Sequence, residues 1–171
     1  MTVATFEQLL QFRERYRLEF GKLCQKLLAL AFHAAGYSIM VERGVQGVDI
    51  DVAGDGERYS IEVKTTDSEA VAFERKDADG LAARRQDGYR SVLAILQVKL
   101  FADWMFVNAD RLAPRQWPVE GLRAGRLPDL EHRVAPRFDE MVEAHAAGAL
   151  DGGQAYLDGV LEPIMKKAAR G

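Results

Sequence analysis

Residues 47–66, GVDIDVAGDGERYSIEVKTT, alternate apolar and polar side chains on both sides of an Asp55-Gly56 pair. Strict alternation is the period of a half-buried strand, and Asp-Gly is a favoured two-residue type I′ turn. The segment therefore predicts a β-hairpin in which Gly54 pairs with Glu57. The turn fixes the register, and a slip of one residue would exchange the two faces.

Counting back from this turn assigns every side chain of the hairpin to one of two faces. The apolar face holds Val48, Ile50, Val52, Tyr59, Ile61 and Val63, and the other face holds Asp49, Asp51, Ser60, Glu62 and Lys64. Asp49 falls opposite Glu62, where Cβ atoms are about 4.5 to 5.5 Å apart and like charges are destabilising. This pair predicts a bound cation, because converging carboxylate oxygens are what Mg²⁺ requires. The plain alternative is a solvated polar face, which any amphipathic hairpin has.

The segments around the hairpin predict an α/β fold. A Thr5 to Gln8 capping box begins a first helix, and a second helix ends at Gly36. The remaining expected elements are a helix over residues 18–35, a strand over 37–43, a helix over 77–86, strands over 91–98 and 103–108, and helices over 137–147 and 154–169, the last kinked near Pro163. The continuous apolar run SVLAILQV is typical of a strand that is covered on both faces.

Length and composition predict a single soluble domain over residues 1–171, with a core at about 18–108 and an irregular segment and helical tail at about 109–171. Neither a signal peptide nor an apolar run of about 20 residues is present, so we expect a cytoplasmic protein without membrane contact. Cys24 is the single cysteine, which excludes an intramolecular disulfide and predicts a buried, inert thiol.

A net charge of −3 and a pI of about 5.7 exclude nucleic-acid binding by bulk electrostatics. Contact with a polyanion would require a local basic patch or a bound cation.

Three pieces of the sequence, taken in order, resemble the PD-(D/E)xK nucleases of the restriction-endonuclease-like superfamily. They are an acidic residue in an upstream helix, here Glu19, then Gly47-Val48-Asp49, then Glu62-Val63-Lys64. The similarity is to the branch with Holliday-junction resolvases and methylation-dependent restriction enzymes, and it covers residues 18–97. It implies an α-β-β-β-α-β core with a central mixed sheet flanked by helices, to which this chain adds a C-terminal helical extension.

The resemblance also implies an activity and a role for each matching residue. Asp49, Glu62 and the backbone carbonyl of Val63 would hold Mg²⁺, with Mn²⁺ able to replace it, and Lys64 would orient or help deprotonate the attacking water. The helical Glu19 would complete the catalytic site. Two further residues remain open: Asp51 could take the part of Asp49, and Gln25 could stand in the helical position of Glu19.

The implied substrate is DNA, cut in restriction, repair or recombination, with a homodimer or a partner protein to cut both strands. Phosphate contacts are expected from Thr65, Lys76, Arg84 and Arg85, although a solvated helix face is the alternative for the last three. Two rival interpretations stay open. One is a catalytically inactive module of the same fold that binds DNA or assembles proteins, and the other is an unrelated α/β protein whose hairpin is merely solvated.

Overall fold

The computed structural model describes residues 1–42 and 48–168, so Gly47 at the start of the predicted hairpin lies outside the described residues. The helices are α1 (Val3–Arg15), α2 (Phe20–Ala34), α3 (Arg75–Gln86), α4 (Val119–Leu122) and α5 (Pro128–Ala168). The strands are β1 (Ser38–Glu42), β2 (Ile50–Gly54), β3 (Glu57–Thr65), β4 (Ala70–Phe73), β5 (Arg90–Leu96), β6 (Met105–Asn108) and β7 (Arg115–Pro118).

The predicted hairpin is confirmed, with the predicted register. Gly54 pairs with Glu57 and Ile50 with Ile61, and both turn residues have positive φ, 52° at Asp55 and 78° at Gly56. A type I′ turn requires this conformation. The ladder ends at Ile50, so the predicted strand pair of Asp49 with Glu62 is not formed, and Asp49 Oδ2 instead accepts from the Val63 amide of β3.

The main sheet has five strands in the order β1-β2-β3-β5-β6. Helix α3 crosses from β3 to β5, so these two strands run parallel, whereas β1, β2 and β6 pair antiparallel with their neighbours. The side chains of β5 are buried from Ser91 to Leu96. This confirms the predicted mixed sheet and the prediction that SVLAILQV lies between two covered faces.

Two apolar clusters cover the two faces of the sheet. The larger one packs α1, α2 and α5 against Ile50, Ile61 and Val92. The smaller one packs α3, α4 and the two-stranded β4–β7 sheet against Leu93 and Ile95. Neighbouring residues of β5 thus belong to different clusters, as the alternation of a strand requires.

Several predicted boundaries were wrong, each for a local reason. Helix α1 is capped by Thr2, whose hydroxyl accepts from the Thr5 main chain, so the helix begins one turn before the predicted Thr5 cap. Helix α5 begins at Pro128, earlier than predicted. The predicted division of this region into two helices is confirmed by the break at Gly153 (φ 56°, ψ −140°), whereas the chain stays helical through Pro163. The sheet formed by β4 and β7 was missed, because each strand is only four residues long.

Cys24 is fully buried in α2, and burial raises the pKa of its thiol, as expected of an inert cysteine. Within the described part of the chain, no helix combines the length and the apolar content that crossing a bilayer requires.

Candidate active site

An open pocket of about 350 Å³ lies where the C-terminal half of β3 meets α2 and α3. Its charged lining residues are three carboxylates, Asp49, Glu62 and Asp77, interleaved with three lysines, Lys22, Lys64 and Lys76. The three residues of the predicted D…E-x-K set are therefore in one place. Their gathering follows from the hairpin register, which sets the start of β2 beside the end of β3.

Asp49 is held at the edge of the pocket by the backbone of β3. Its amide donates to Ile61 O at 3.1 Å, and its Oδ2 accepts from the Val63 amide at 2.8 Å. Its Oδ1 remains directed to the pocket, where Lys22 Nζ lies 3.2 Å away. One carboxylate oxygen of Asp49 is thus fixed by the backbone, and the other forms an ion pair with Lys22 at the pocket.

Glu62 is almost fully buried, at 6% exposure. Its Oε1 lies 2.9 Å from Lys64 Nζ, whereas its buried Oε2 has no hydrogen-bond partner among the described residues. Burial, together with the negative charge of Asp49, raises the pKa of Glu62 to about 8. A buried carboxylate oxygen without a partner, next to a second carboxylate, is a site that a divalent cation fits.

Lys64 lies between two buried carboxylates. Its Nζ is 2.9 Å from Glu62 Oε1 and 2.7 Å from Asp77 Oδ2. Burial alone would lower the pKa of Lys64, but the hydrogen bonds and charges of Asp77 and Glu62 outweigh it and raise this pKa. The lysine is therefore held as an ammonium beside the carboxylate pair.

Sequence reasoning missed Asp77, the residue that holds Lys64 from the other side. Asp77 is 3% exposed, and its Oδ2 also accepts from the Glu74 amide at 2.9 Å. Together with Glu74 it forms the capping box of α3. The capping box was the signal available in the sequence, but it indicates a helix start and not a contact with a distant strand.

Helix α2 contributes Lys22 and Gln25, one turn apart on the side that faces the pocket. Lys22 Nζ is 2.7 Å from Gln25 Oε1, and Gln25 Nε2 donates to Asp49 O at 3.4 Å. The structure does not bring Glu19 to this pocket, since it precedes the helix and its side chain is exposed. The helical position predicted for Glu19 or Gln25 is thus occupied by Gln25, with Lys22 beside it.

Asp51 is directed away from the pocket, which corrects its candidacy as a ligand. Its Oδ1 accepts from Ser60 Oγ at 2.6 Å, and its Oδ2 lies 2.6 Å from Arg84 Nη2. The Arg84 guanidinium also lies over the Tyr89 ring, 4.4 Å from its centroid. Both oxygens of Asp51 are occupied, and the predicted phosphate contact of Arg84 is replaced by this largely buried ion pair.

The other predicted DNA contacts are distributed around the pocket. Thr65 and Lys76 line it, and the exposed Lys76 pairs with Glu74 at 2.8 Å. Arg85 lies outside the lining and donates to Ser91 Oγ at 3.1 Å.

The carboxylates are too few for an all-protein metal cage. No group of three or more His, Cys, Asp or Glu residues with the geometry of a metal site occurs among residues 1–42 and 48–168. Mg²⁺, however, keeps several waters and is commonly bound through one or two carboxylates plus substrate phosphate. The pair of Asp49 and Glu62 fits that ion, and the low exposure of Glu62 contradicts the third alternative, a merely solvated hairpin.

The chain has an α/β fold in which a central mixed sheet is covered by helices on both faces, with the pocket at the end of β3. A Holliday junction resolvase, Hjc of the archaeal hyperthermophile Archaeoglobus fulgidus, has a similar structure, with a TM-score of 0.54 at 17% sequence identity. The match covers 66% of this chain and 95% of that chain. No family model and no curated protein matches the sequence. The chain therefore has the predicted restriction-endonuclease-like fold, with additional helical structure at its C-terminus.

Proposed function

We propose that this chain is a Mg²⁺-dependent DNA endonuclease that acts in the cytoplasm in restriction, repair or recombination, and that Mn²⁺ can replace Mg²⁺. One observation carries the proposal: Glu62 Oε2 is buried near Asp49 and has no hydrogen-bond partner among residues 1–42 and 48–168, while Lys64 contacts the other oxygen of Glu62. A metal-dependent hydrolase can use such a set to bind the ion and to orient the water that attacks a phosphodiester.

The residues that would hold the ion are Asp49 through Oδ1, Glu62 through Oε2 and the main-chain carbonyl of Val63. A bound Mg²⁺ supplies an acidified water and offsets charge on the phosphate. Lys64 Nζ donates a hydrogen bond to the attacking water or to a non-bridging phosphate oxygen. Asp77 restricts the rotamers of Lys64 before the reaction begins. Less side-chain entropy is therefore lost when the transition state forms.

The DNA backbone would approach over the open side of the pocket. Thr65 and Lys76 lie at this opening, and Arg85 stands further along α3. A chain with a net charge of −3 must bind phosphates through such a local group. In this proposal Arg84 does not contact phosphate; it supports DNA binding only indirectly, through its ion pair with Asp51.

The test compares cleavage of plasmid DNA and of a four-way junction by the wild type, Asp49→Asn and Lys64→Ala, with Mg²⁺ or Mn²⁺. Asp55→Asn, at the opposite end of the same hairpin, and the exposed Lys99→Ala are matched controls. We expect cleavage by the wild type and both controls and a loss of at least about 100-fold in the two site variants. Equal cleavage by all five proteins, or none by the wild type, would contradict the proposal.

A second candidate, a catalytically inactive DNA-binding or assembly module of the same fold, has one observation in its favour. Lys22 and Lys64 each contact one of the two carboxylates, so the pair is partly neutralised without a metal ion. Calorimetry with Mn²⁺ separates the two functions. Binding that is lost in Asp49→Asn and Glu62→Gln supports the nuclease, and its absence in the wild type supports the module.

The proposed enzyme acts as a homodimer or with a partner protein, since cutting both strands of a duplex or junction requires two active sites. Analytical ultracentrifugation with and without junction DNA measures this directly. A monomer that cuts only one strand in each binding event would contradict it.

A further inference from the structure

A second ammonium enters the candidate active site from α2. Lys22 Nζ lies 3.2 Å from Asp49 Oδ1 and 2.7 Å from Gln25 Oε1. Lys64 makes the corresponding contact with the other carboxylate, with its Nζ 2.9 Å from Glu62 Oε1. The carboxylate pair is therefore flanked by one lysine on each side, and only Lys64 belongs to the motif that the sequence revealed.

Gln25 determines what this side of the pocket can bind. It is 2% exposed, and its Nε2 donates to Asp49 O. Its Oε1 accepts from Lys22 but carries no formal charge. A second divalent ion at this side would meet an ammonium and a neutral amide where it needs a carboxylate, which is electrostatically unfavourable.

We propose, on the basis of the proposed function, that the Lys22 ammonium is a permanent cation of the active site. Lys22 restricts the site to one divalent ion, and it donates a hydrogen bond to a phosphate oxygen of the bound DNA strand. The contact that carries this inference is the bridge from Lys22 to both Gln25 and Asp49.

The geometry allows both parts of this role. A metal ion on Asp49 Oδ1 displaces Lys22 from that atom, but the shorter contact with Gln25 Oε1 can remain. The Lys22 side chain is 36% exposed, so its ammonium can turn to the open side of the pocket. A phosphate oxygen that arrives there would receive a charge-assisted hydrogen bond in exchange for the one lost to Asp49.

The two parts predict opposite effects of one substitution. In Lys22→Ala the metal no longer competes with an ammonium, so Mn²⁺ should bind about tenfold more tightly by calorimetry. The same variant loses a phosphate contact, so kcat/KM on junction DNA at saturating Mn²⁺ should fall by about tenfold or more. The slope of log(kcat/KM) against the logarithm of the salt concentration should become shallower by about one unit. A simple loss of folding cannot tighten metal binding.

Four further variants complete the experiment. Lys22→Arg should restore most of the salt dependence, Gln25→Ala should reproduce part of the loss in kcat/KM, and Lys99→Ala, an exposed lysine outside the pocket, should match the wild type. Wild-type calorimetry should give one Mn²⁺ per chain. A double variant, Lys22→Ala with Gln25→Glu, should bind a second ion.

Failure of this inference differs from failure of the proposed function. If the wild type binds Mn²⁺ and cuts DNA but Lys22→Ala changes neither Mn²⁺ affinity nor salt dependence, the role of Lys22 is overturned and the nuclease remains. Two Mn²⁺ per wild-type chain would likewise overturn it. If the wild type binds no Mn²⁺ and cuts no DNA, both proposals fall together.

Discussion

Lys64 Nζ lies 2.7 Å from Asp77 Oδ2, a contact that joins the third strand of the main sheet to the first turn of α3. The same carboxylate accepts from the Glu74 amide, so Asp77 fixes both the start of the helix and the lysine.

Asp77→Asn separates these two tasks. The amide oxygen can still accept from Glu74, so α3 should begin at the same residue, but the negative charge beside Lys64 is lost. We expect kcat to fall between about 10- and 100-fold with a smaller change in KM, since a misplaced group costs rate more than binding. Single-turnover cleavage measures this, and Asp79→Asn on the exposed side of the same helix should cut like the wild type.

Glu62→Gln should stabilise the metal-free protein. Because burial and Asp49 raise the pKa of Glu62 to about 8, folding at neutral pH requires this carboxylate to take up a proton, which costs stability. Gln is neutral without that cost, and its amide oxygen can still accept from Lys64. Thermal denaturation in EDTA should show a Tm at or above that of the wild type. Mn²⁺ at 100 times its Kd should stabilise the wild type by about 2.7 kcal/mol, roughly 5 to 10 °C in Tm, and should leave Glu62→Gln unchanged.

The exposed Glu69→Gln serves as the control for that experiment and should retain the full Mn²⁺-dependent shift in Tm. An equal Mn²⁺ shift in Glu62→Gln and in the wild type would contradict the assignment of Glu62 as a ligand.

Asp51→Asn should destabilise the fold without affecting the metal. It leaves Arg84, one quarter exposed, without its buried partner, and breaking such a pair costs about 3 kcal/mol in the free energy of unfolding. Urea denaturation measures this cost, and calorimetry should show an unchanged Mn²⁺ affinity. Asp87→Asn removes only the exposed partner of Arg84 and should cost less than about 1 kcal/mol. Loss of Mn²⁺ binding in Asp51→Asn would return Asp51 to the ligand set.

Gly153→Ala should destabilise the kinked helix α5. Gly153 has φ 56°, and a Cβ there would lie 3.2 Å from Tyr16 Cε1. Strained backbone of this kind costs about 1 to 3 kcal/mol in the free energy of unfolding. Gly159→Ala, where a Cβ meets no atom within 4 Å, should instead stabilise the helix by about 0.5 to 1 kcal/mol. Urea denaturation of both variants checks the pair, and equal effects of the same sign would contradict the strain.

The hairpin was predictable because its determinants are local. The Asp55-Gly56 turn and the alternation of side chains set the register of β2 and β3, and the register brought Asp49, Glu62 and Lys64 together. No distant partner was needed for that inference.

The parts that escaped prediction depend on contacts across the chain. Lys22 and Asp77 come from helices on different sides of β3, and nothing in their own segments marks them as neighbours of Lys64 or Asp49. Asp51 alternates in phase with Asp49, yet its partner Arg84 is more than 30 positions away. Sequence spacing gives the face of a strand, but not what packs on that face.

Helix α3 is tied to the hairpin at both of its ends, by Asp77 to Lys64 near its start and by Arg84 to Asp51 near its finish. It therefore connects β2 and β3, the two strands of the hairpin that carry the candidate site. The orientation of Lys64 therefore depends on the position of the whole helix. A substitution that breaks the contact between Arg84 and Asp51 should shift α3 and lower kcat. The affinity of Asp49 and Glu62 for metal should stay the same.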